Sequence, residues 1–191
     1  MIIQNMNIKT KILLYTNSLI LLSSSILGPI YAIYLNKIGA SLFEASMAMG
    51  IFAIVAGITT FLVGKYADTH DPKKIMILGY FLIGLAFFLY NFTTSLAGIY
   101  CLQILIGLGE AIYSPAFDKT YTESMSKKHI GSTWGLWELS NYFSQAIGAV
   151  VGGLLSQYYG FGVIFVSISC ICFISCFWVY FSKELSFERT S

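Results

Sequence analysis

Charged residues stop and restart along this chain, and the apolar runs between them mark out its elements. The runs cover about 12–35, 42–63, 75–90, 96–117, 134–155 and 163–181. Crossing a hydrocarbon core takes about 20 residues of helix, so each run is read as one transmembrane helix. Glycine-containing or polar breaks separate them at 36–39, 65–74, 91–95, 118–133 and 157–160. None is long enough to join two domains, and the expected organisation is a single six-helix bundle over 1–191.

Composition narrows the class. The 191 residues are 57% hydrophobic and 10% charged, whereas soluble domains carry about 25% charged residues. A chain this short has too much surface to hide so many apolar side chains from water. Lipid must be its solvent, and the fold class is all-α, a polytopic membrane protein. Six spans use about 120 residues, so twelve do not fit. Disorder, nucleic-acid binding and a disulfide scaffold fall away, because the chain lacks polar low-complexity tracts and basic clusters. Its four cysteines, Cys101, Cys170, Cys172 and Cys176, lie inside apolar runs and read as reduced, lipid-buried thiols. No metal or cofactor is expected, since His70 and His129 sit in loops without ligands at matching spacing.

Lys and Arg in short loops are held on the cytoplasmic side. With the N-terminus inside, the inner side collects Lys9, Lys11, Lys65, Lys73, Lys74, Lys119, Lys127, Lys128, Lys183 and Arg189, and the outer side only Lys37. Ten of eleven on one side supports an even number of spans in a cell (inner) membrane, with both termini cytoplasmic. Lys9 and Lys11 match the basic start of a signal peptide, but the apolar run continues too far and no small-residue cleavage site closes it. The first segment therefore reads as a retained span. Charge returns directly after the sixth run, as it would in a complete chain, although a linker cut there would look the same.

A charged side chain at the bilayer centre costs about 2.5–3.5 kcal/mol on insertion scales, so a carboxylate within a span calls for a reason. Glu110 in the fourth run and Glu138 in the fifth are two such residues. Gln103, Gly107, Glu110 and Ser114 follow helical spacing, as do Glu138, Asn141, Gln145, Gly148 and Gly152. Each set forms one polar-and-small stripe on an apolar cylinder. Two readings fit. In one, the stripes are packing interfaces, with polar groups bonding between helices and small residues admitting close backbones. In the other they line a water-accessible cavity, joined by Asn17 of the first span, where a solute binds and Glu110 or Glu138 takes up a proton. Glu138 has the further option of snorkelling or pairing with Lys127 or Lys128. On the second span Gly50, Gly57 and Gly64 recur every seven residues, a smooth face along which another helix can pack, slide or rock.

Gly64, Asp68, Lys73 and Lys74 punctuate the loop between the second and third spans. A carboxylate there can bond the free N–H groups at another helix's N-terminus, a latch that need not be permanent. The stretch resembles the Gly-x-x-x-Asp-(Arg/Lys)-x-Gly-(Arg/Lys)-(Arg/Lys) loop of the major facilitator superfamily of secondary transporters. Thr69 replaces the usual basic residue, Asp71 the second glycine, and Lys73 and Lys74 come one residue late. Residues 103–107 look like the family's Arg-x-x-x-Gly stretch with Gln103 in place of Arg. Residues 148–153 resemble its glycine-rich fifth span without the Pro typical of drug–proton antiporters, so drug antiport is not favoured.

The resemblance implies one six-helix half of a transporter usually built from two, with substrate at the midplane between them. It implies movement of a small solute by alternating access, through a homodimer of half-size subunits or with a second six-helix subunit, and proton coupling as an option. In the family the loop Asp latches against the opposite half; here Asp68 would meet the partner's fifth helix around 131–133. The alternative keeps the fold without transport, as a membrane-embedded interaction or regulatory subunit. An enzyme is not expected, because the spans hold no histidine and the chain no nucleophile elbow or phosphate-cradling loop. Carboxylates and amides without intramembrane Lys or Arg disfavour strongly anionic solutes; cations, sugars and neutral amphiphiles stay open.

Overall fold

The computed structural model describes residues 6–185; Arg189, counted above on the inner side, lies outside the described residues. Regular structure among them is helical throughout. It comprises α1 (Ile8–Leu27), a 3₁₀ turn (Gly28–Ile30), α2 (Tyr31–Lys37), α3 (Leu42–Ala67), α4 (Pro72–Tyr90), α5 (Leu96–Glu123), α6 (Ile130–Tyr158) and α7 (Phe161–Phe181), followed by a short 3₁₀ turn at Lys183–Leu185. α1, the first turn and α2 together make one span, Ile8–Lys37.

Local chemistry sets these ends. Ser41 and Glu44 form a reciprocal capping box at the start of α3, and Asp71 caps α4 with Pro72 just inside it, each satisfying N–H groups that have no partner within the helix. Gly39 (φ 86°) and Gly160 (φ 79°) turn the chain between α2 and α3 and between α6 and α7, in a backbone region that favours glycine.

Two expectations need correction. The first span is not one helix: Pro29 has no N–H to give and its ring crowds the preceding turn, so the α-helix breaks at Gly28–Ile30. The stretch 118–133 is not a loop: α5 runs on through Asp118 to Glu123, and α6 begins at Ile130. Hydropathy marks where lipid ends, whereas a helix ends where its backbone bonds do, so both rods project beyond their apolar runs. Pro115 lies inside α5 without ending it.

Five spans among the described residues are long and apolar enough to cross a membrane. The sixth, α6, has 29 residues, ample for the crossing, but Glu138, Asn141 and Gln145 hold its hydropathy down. This is a multi-pass membrane protein.

The helices form two arms on a shared back. α3 lies along α5 and α6 along α1, while α5 packs on α4, α4 on α7, and α7 on α1. α1 and α5 touch only sparsely, so a face opens between the arms. The core sits at the back, where Tyr80 and Met76 of α4, Phe117 and Tyr121 of α5, Ile164 and Ile168 of α7, and Leu13 and Ile20 of α1 are fully buried. Gly79 and Gly109 bring α4 against α5: a Cβ on Gly79 would stand 2.7 Å from the Gly109 carbonyl oxygen. α3 is the opposite case, with 6% of its apolar stretch buried.

Candidate transport site

α5 carries Glu110 midway along its length, about 20 Å from either end at 1.5 Å per residue. The Tyr113 hydroxyl, one turn on, donates to Glu110 Oε1 at 3.0 Å. The Tyr113 ring meets Tyr80 of α4 edge to face, centroids 4.8 Å apart. Asn17 Nδ2 of α1 donates to the Tyr80 hydroxyl at 3.5 Å, and the Trp137 indole N–H of α6 donates to Asn17 Oδ1 at 2.7 Å. One run of contacts therefore passes from the α5 arm, over the back, to α1 and α6. Asn17, Tyr80 and Tyr113 are buried and their polar atoms are partnered, as buried polar groups must be. Glu110 is only partly buried. Among the described residues its carboxylate is met by the Tyr113 hydroxyl and no salt bridge reaches it.

Gln103 lies two turns from Glu110 on the same face. Its Nε2 donates to the Tyr31 hydroxyl at 2.5 Å, and that hydroxyl lies 3.3 Å from Tyr90's. Tyr31 opens α2 just past the Pro29 break. Beside it Tyr34 meets Tyr90 and Phe165 edge to face, and Tyr90 stacks on Phe165, with centroids 4.8–5.9 Å apart. This plug ties α2, α4, α5 and α7 together at the end away from the basic loops.

The basic end is held differently. Lys119 Nζ donates to the Asp68 and Ala67 carbonyls at 2.9 and 3.3 Å, at the end of α3, and Lys73 Nζ donates to the Ser182 carbonyl at 2.7 Å, at the end of α7. Cations there satisfy orphan carbonyls and complement the helix dipoles. The Asp68 carboxylate stands 3.9 Å from Lys119 Nζ and is 73% exposed. Gly64 ends no contact, since a Cβ there would meet nothing within 4 Å, and Lys74 faces out.

The remaining predicted residues fall in two groups. Glu138 and Gln145 are exposed and Asn141 partly so; Gln145 Nε2 donates to Asn141 Oδ1 at 3.1 Å. The Phe143 and Ile147 side of α6 borders a groove with Trp178 of α7, and helical spacing sets Glu138, Asn141 and Gln145 on the flank turned away from it. The structure thus joins Asn17 to the Glu110 cluster but leaves Glu138 outside it. Gly148 and Gly152 lie on α1: a Cβ at Gly148 would stand 2.6 Å from Ser25 Cβ, and one at Gly152 would overlap the Ile26 carbonyl oxygen. A Cβ on Gly50 or Gly57 would meet nothing within 4 Å among the described residues.

Tyr31, Tyr80, Tyr113 and Trp137 are central to both clusters and were counted only as apolar in the hydropathy pattern. The available signal was chemical: a buried Tyr O–H or Trp N–H needs a partner, and each of these lies within a predicted span.

Comparison with known proteins follows the same outline. The Major Facilitator Superfamily model matches residues 13–190. An MFS-type transporter of Methanocaldococcus jannaschii is 26% identical over 140 residues, covering 73% of this chain and 36% of that protein. The proton-coupled antiporter flippase LtaA of Staphylococcus saprophyticus is 26% identical over 176 residues, covering 88% and 44%. The MFS-type transporter YitZ of Bacillus subtilis is 20% identical over 153 residues, covering 80% and 93%. The chain spans less than half the length of the first two. With the match running from α1 through α7, the chain belongs to the major facilitator superfamily.

Proposed function

We propose that this chain forms one half of a small-solute transporter working by alternating access, the other half supplied by a second copy or another six-helix bundle. Its place is the cell (inner) membrane, with the basic end and both termini cytoplasmic. The observation that carries this reading is the open face between the arms. It presents a mid-span carboxylate, Glu110, wired through Tyr113, Tyr80 and Asn17 to Trp137, with no opposite wall among the described residues. A site at the midplane between two bundles is the arrangement such transporters use.

Glu110, Gln103 and Asn17 line the pathway, with Glu138 and Asn141 on the flank of α6. Glu110 exchanges a proton during transport: a carboxylate that no salt bridge among the described residues reaches is stabilised in low dielectric by neutralisation, and LtaA is named a proton-coupled antiporter. Gly64, Asp68, Lys73 and Lys74 form the gate. Asp68 is exposed, and α6 begins without a side-chain cap at His129, so its first N–H groups suit the Asp68 carboxylate of a partner.

Two experiments test this. In proteoliposomes, a screen of solutes with and without a proton gradient should find gradient-driven uptake, abolished by Glu110→Gln. A purified complex with another protein that shows no flux in the unsubstituted chain favours the interaction-subunit reading instead. Cysteines at positions 68 and 132 should crosslink between protomers; crosslinks confined within monomers overturn the two-copy latch.

A further inference from the structure

α6 and α7 both pack on α1 but touch each other only sparsely. Between them lies a groove of about 380 Å³, lined by Leu19 and Leu22 of α1, Phe143 and Ile147 of α6 and Trp178 of α7, with Tyr15 at one end. Tyr15, Phe143, Ile147 and Trp178 are exposed, so the groove opens to lipid. Helical spacing sets it on the side of α1 opposite Asn17, and it is no part of the open face. We propose that this groove holds one acyl chain of an anionic glycerophospholipid from the leaflet at the basic end, with the headgroup at its mouth near Lys11 and Lys183.

Depth and lining point to an acyl chain. Tyr15, Ser18 and Leu22 follow one helical stripe on α1, and Lys11 stands one turn below Tyr15 on the same face. Leu22 lies at the middle of the Ile8–Lys37 span. From Lys11 to Leu22 is about 16 Å of helix, close to the roughly 15 Å of hydrocarbon in one leaflet. The serine donors of the lining are already used: Ser18 and Ser140 donate to the Leu14 and Leu136 carbonyls at 2.7 and 3.0 Å, and Ser144 to the Ser18 carbonyl at 3.4 Å. Such a wall suits hydrocarbon. A helix of a second copy is too wide, since a rod about 10 Å across would need roughly 800 Å³ over the length from Tyr15 to Leu22.

The mouth selects the headgroup. Lipid tails are as apolar as leucine, so the groove alone favours no lipid over its neighbours. At its lower end the Tyr15 and Trp178 rings stack, centroids 6.4 Å apart, and among the described residues neither the Tyr15 hydroxyl nor the Trp178 indole N–H has a hydrogen-bond partner. Groups of this kind at headgroup level keep an apolar body in lipid and a polar tip for its oxygens. Lys11 adjoins them on α1, and the exposed Lys183 leads the 3₁₀ turn after α7, which touches α1. Glu184 is the acidic group beside Lys183. Two cations against one carboxylate leave positive charge for a phosphate that its own headgroup does not neutralise.

The test compares two lipids that differ in headgroup charge. The full chain is reconstituted in phosphatidylcholine vesicles containing a fixed minor fraction of lipid brominated in mid-chain, either phosphatidylglycerol or phosphatidylcholine. Quenching of Trp178 is read after subtracting the Trp178→Phe chain, whose tryptophans are Trp134 and Trp137. Brominated phosphatidylglycerol is expected to compete about tenfold better, with Lys11→Gln and Lys183→Gln each lowering that preference about threefold or more. Ser140→Phe, which fills the groove from α6, should abolish it. Equal quenching by the two lipids overturns the proposal, and that comparison needs no variant to fold. A preference that survives Ser140→Phe is a general attraction to the basic end and overturns it as well, as does one indifferent to both lysine changes. Quenching by both lipids that fades as chains are crowded in the membrane puts a second copy in the groove and sinks the lipid site. No flux enters the readout, so the outcome stands apart from the transport reading.

Discussion

Gly148 and Gly152 of α6 and Gly50 and Gly57 of α3 make stripes of the same kind along two helices of similar length, and their surroundings differ completely. On α6 the missing side chains admit the backbone of α1 at Ser25 and Ile26. On α3 a side chain would meet nothing within 4 Å among the described residues, and little of the helix is buried. Spacing shows that a helix has a smooth face; it does not show what lies on that face. The α6 stripe is used up in joining two spans of one arm, and the α3 stripe is left for lipid or for another bundle.

The sharpest way to break this contrast is Gly152→Ala. The new Cβ would overlap the Ile26 carbonyl oxygen, and backbone cannot step aside as a flexible side chain does. Overpacking of this sort costs about 1–3 kcal/mol, and the upper end is expected, read as a lowered Tm in detergent. Gly148→Ala should cost less, since its closest neighbours, Ser25 Cβ at 2.6 Å and the Ser25 backbone carbon at 2.9 Å, are crowded but not overlapped. Unchanged Tm in both variants would mean that α1 and α6 do not approach as described.

A smaller effect is expected from Trp137→Phe, which asks whether α6 is held to α1 by polar contact as well as by its glycines. The substitution keeps an aromatic ring but removes the donor 2.7 Å from Asn17 Oδ1. Interhelical hydrogen bonds in membranes average about 0.6 kcal/mol, with a maximum of about 1.7. A loss of about 1 kcal/mol in chemical unfolding is expected, since the orphaned amide oxygen stays buried. No change would assign the α1–α6 contact to packing alone.

The same contrast explains how far the sequence could be read. Six spans and their order follow from where charges stop, because lipid tolerates few of them. Pro29 escaped notice because Gly28 and Pro29 interrupt no apolar run, and the helical ends at 118–123 and 130–133 escaped because polar residues outside lipid still form helix. Glu110 and Asn17 were legible as polar atoms in apolar surroundings. Tyr80, Tyr113 and Trp137 were not, since hydropathy weighs the ring and passes over the single polar atom. Which glycine stripe meets a neighbour depends on the rotation of each rod in the bundle, and no local pattern encodes that.

The smallest effect on the fold, and the most telling, belongs to the paired substitution Gly50→Ala with Gly57→Ala. Both sites are open among the described residues, and alanine is favoured over glycine in a helix interior by about 0.8–1.0 kcal/mol per residue. Tm should therefore hold or rise slightly, the opposite sign to Gly152→Ala. Self-association is the second readout, by energy transfer between labelled chains in liposomes. If a second bundle lies over α3, two methyl groups on its smooth face hold the helices apart, and association falls while stability does not. Stability and association both unchanged would assign the stripe to lipid and move the partner interface off α3. A fall in Tm alone would show that the stripe packs within its own chain, and the contrast with α6 would be lost.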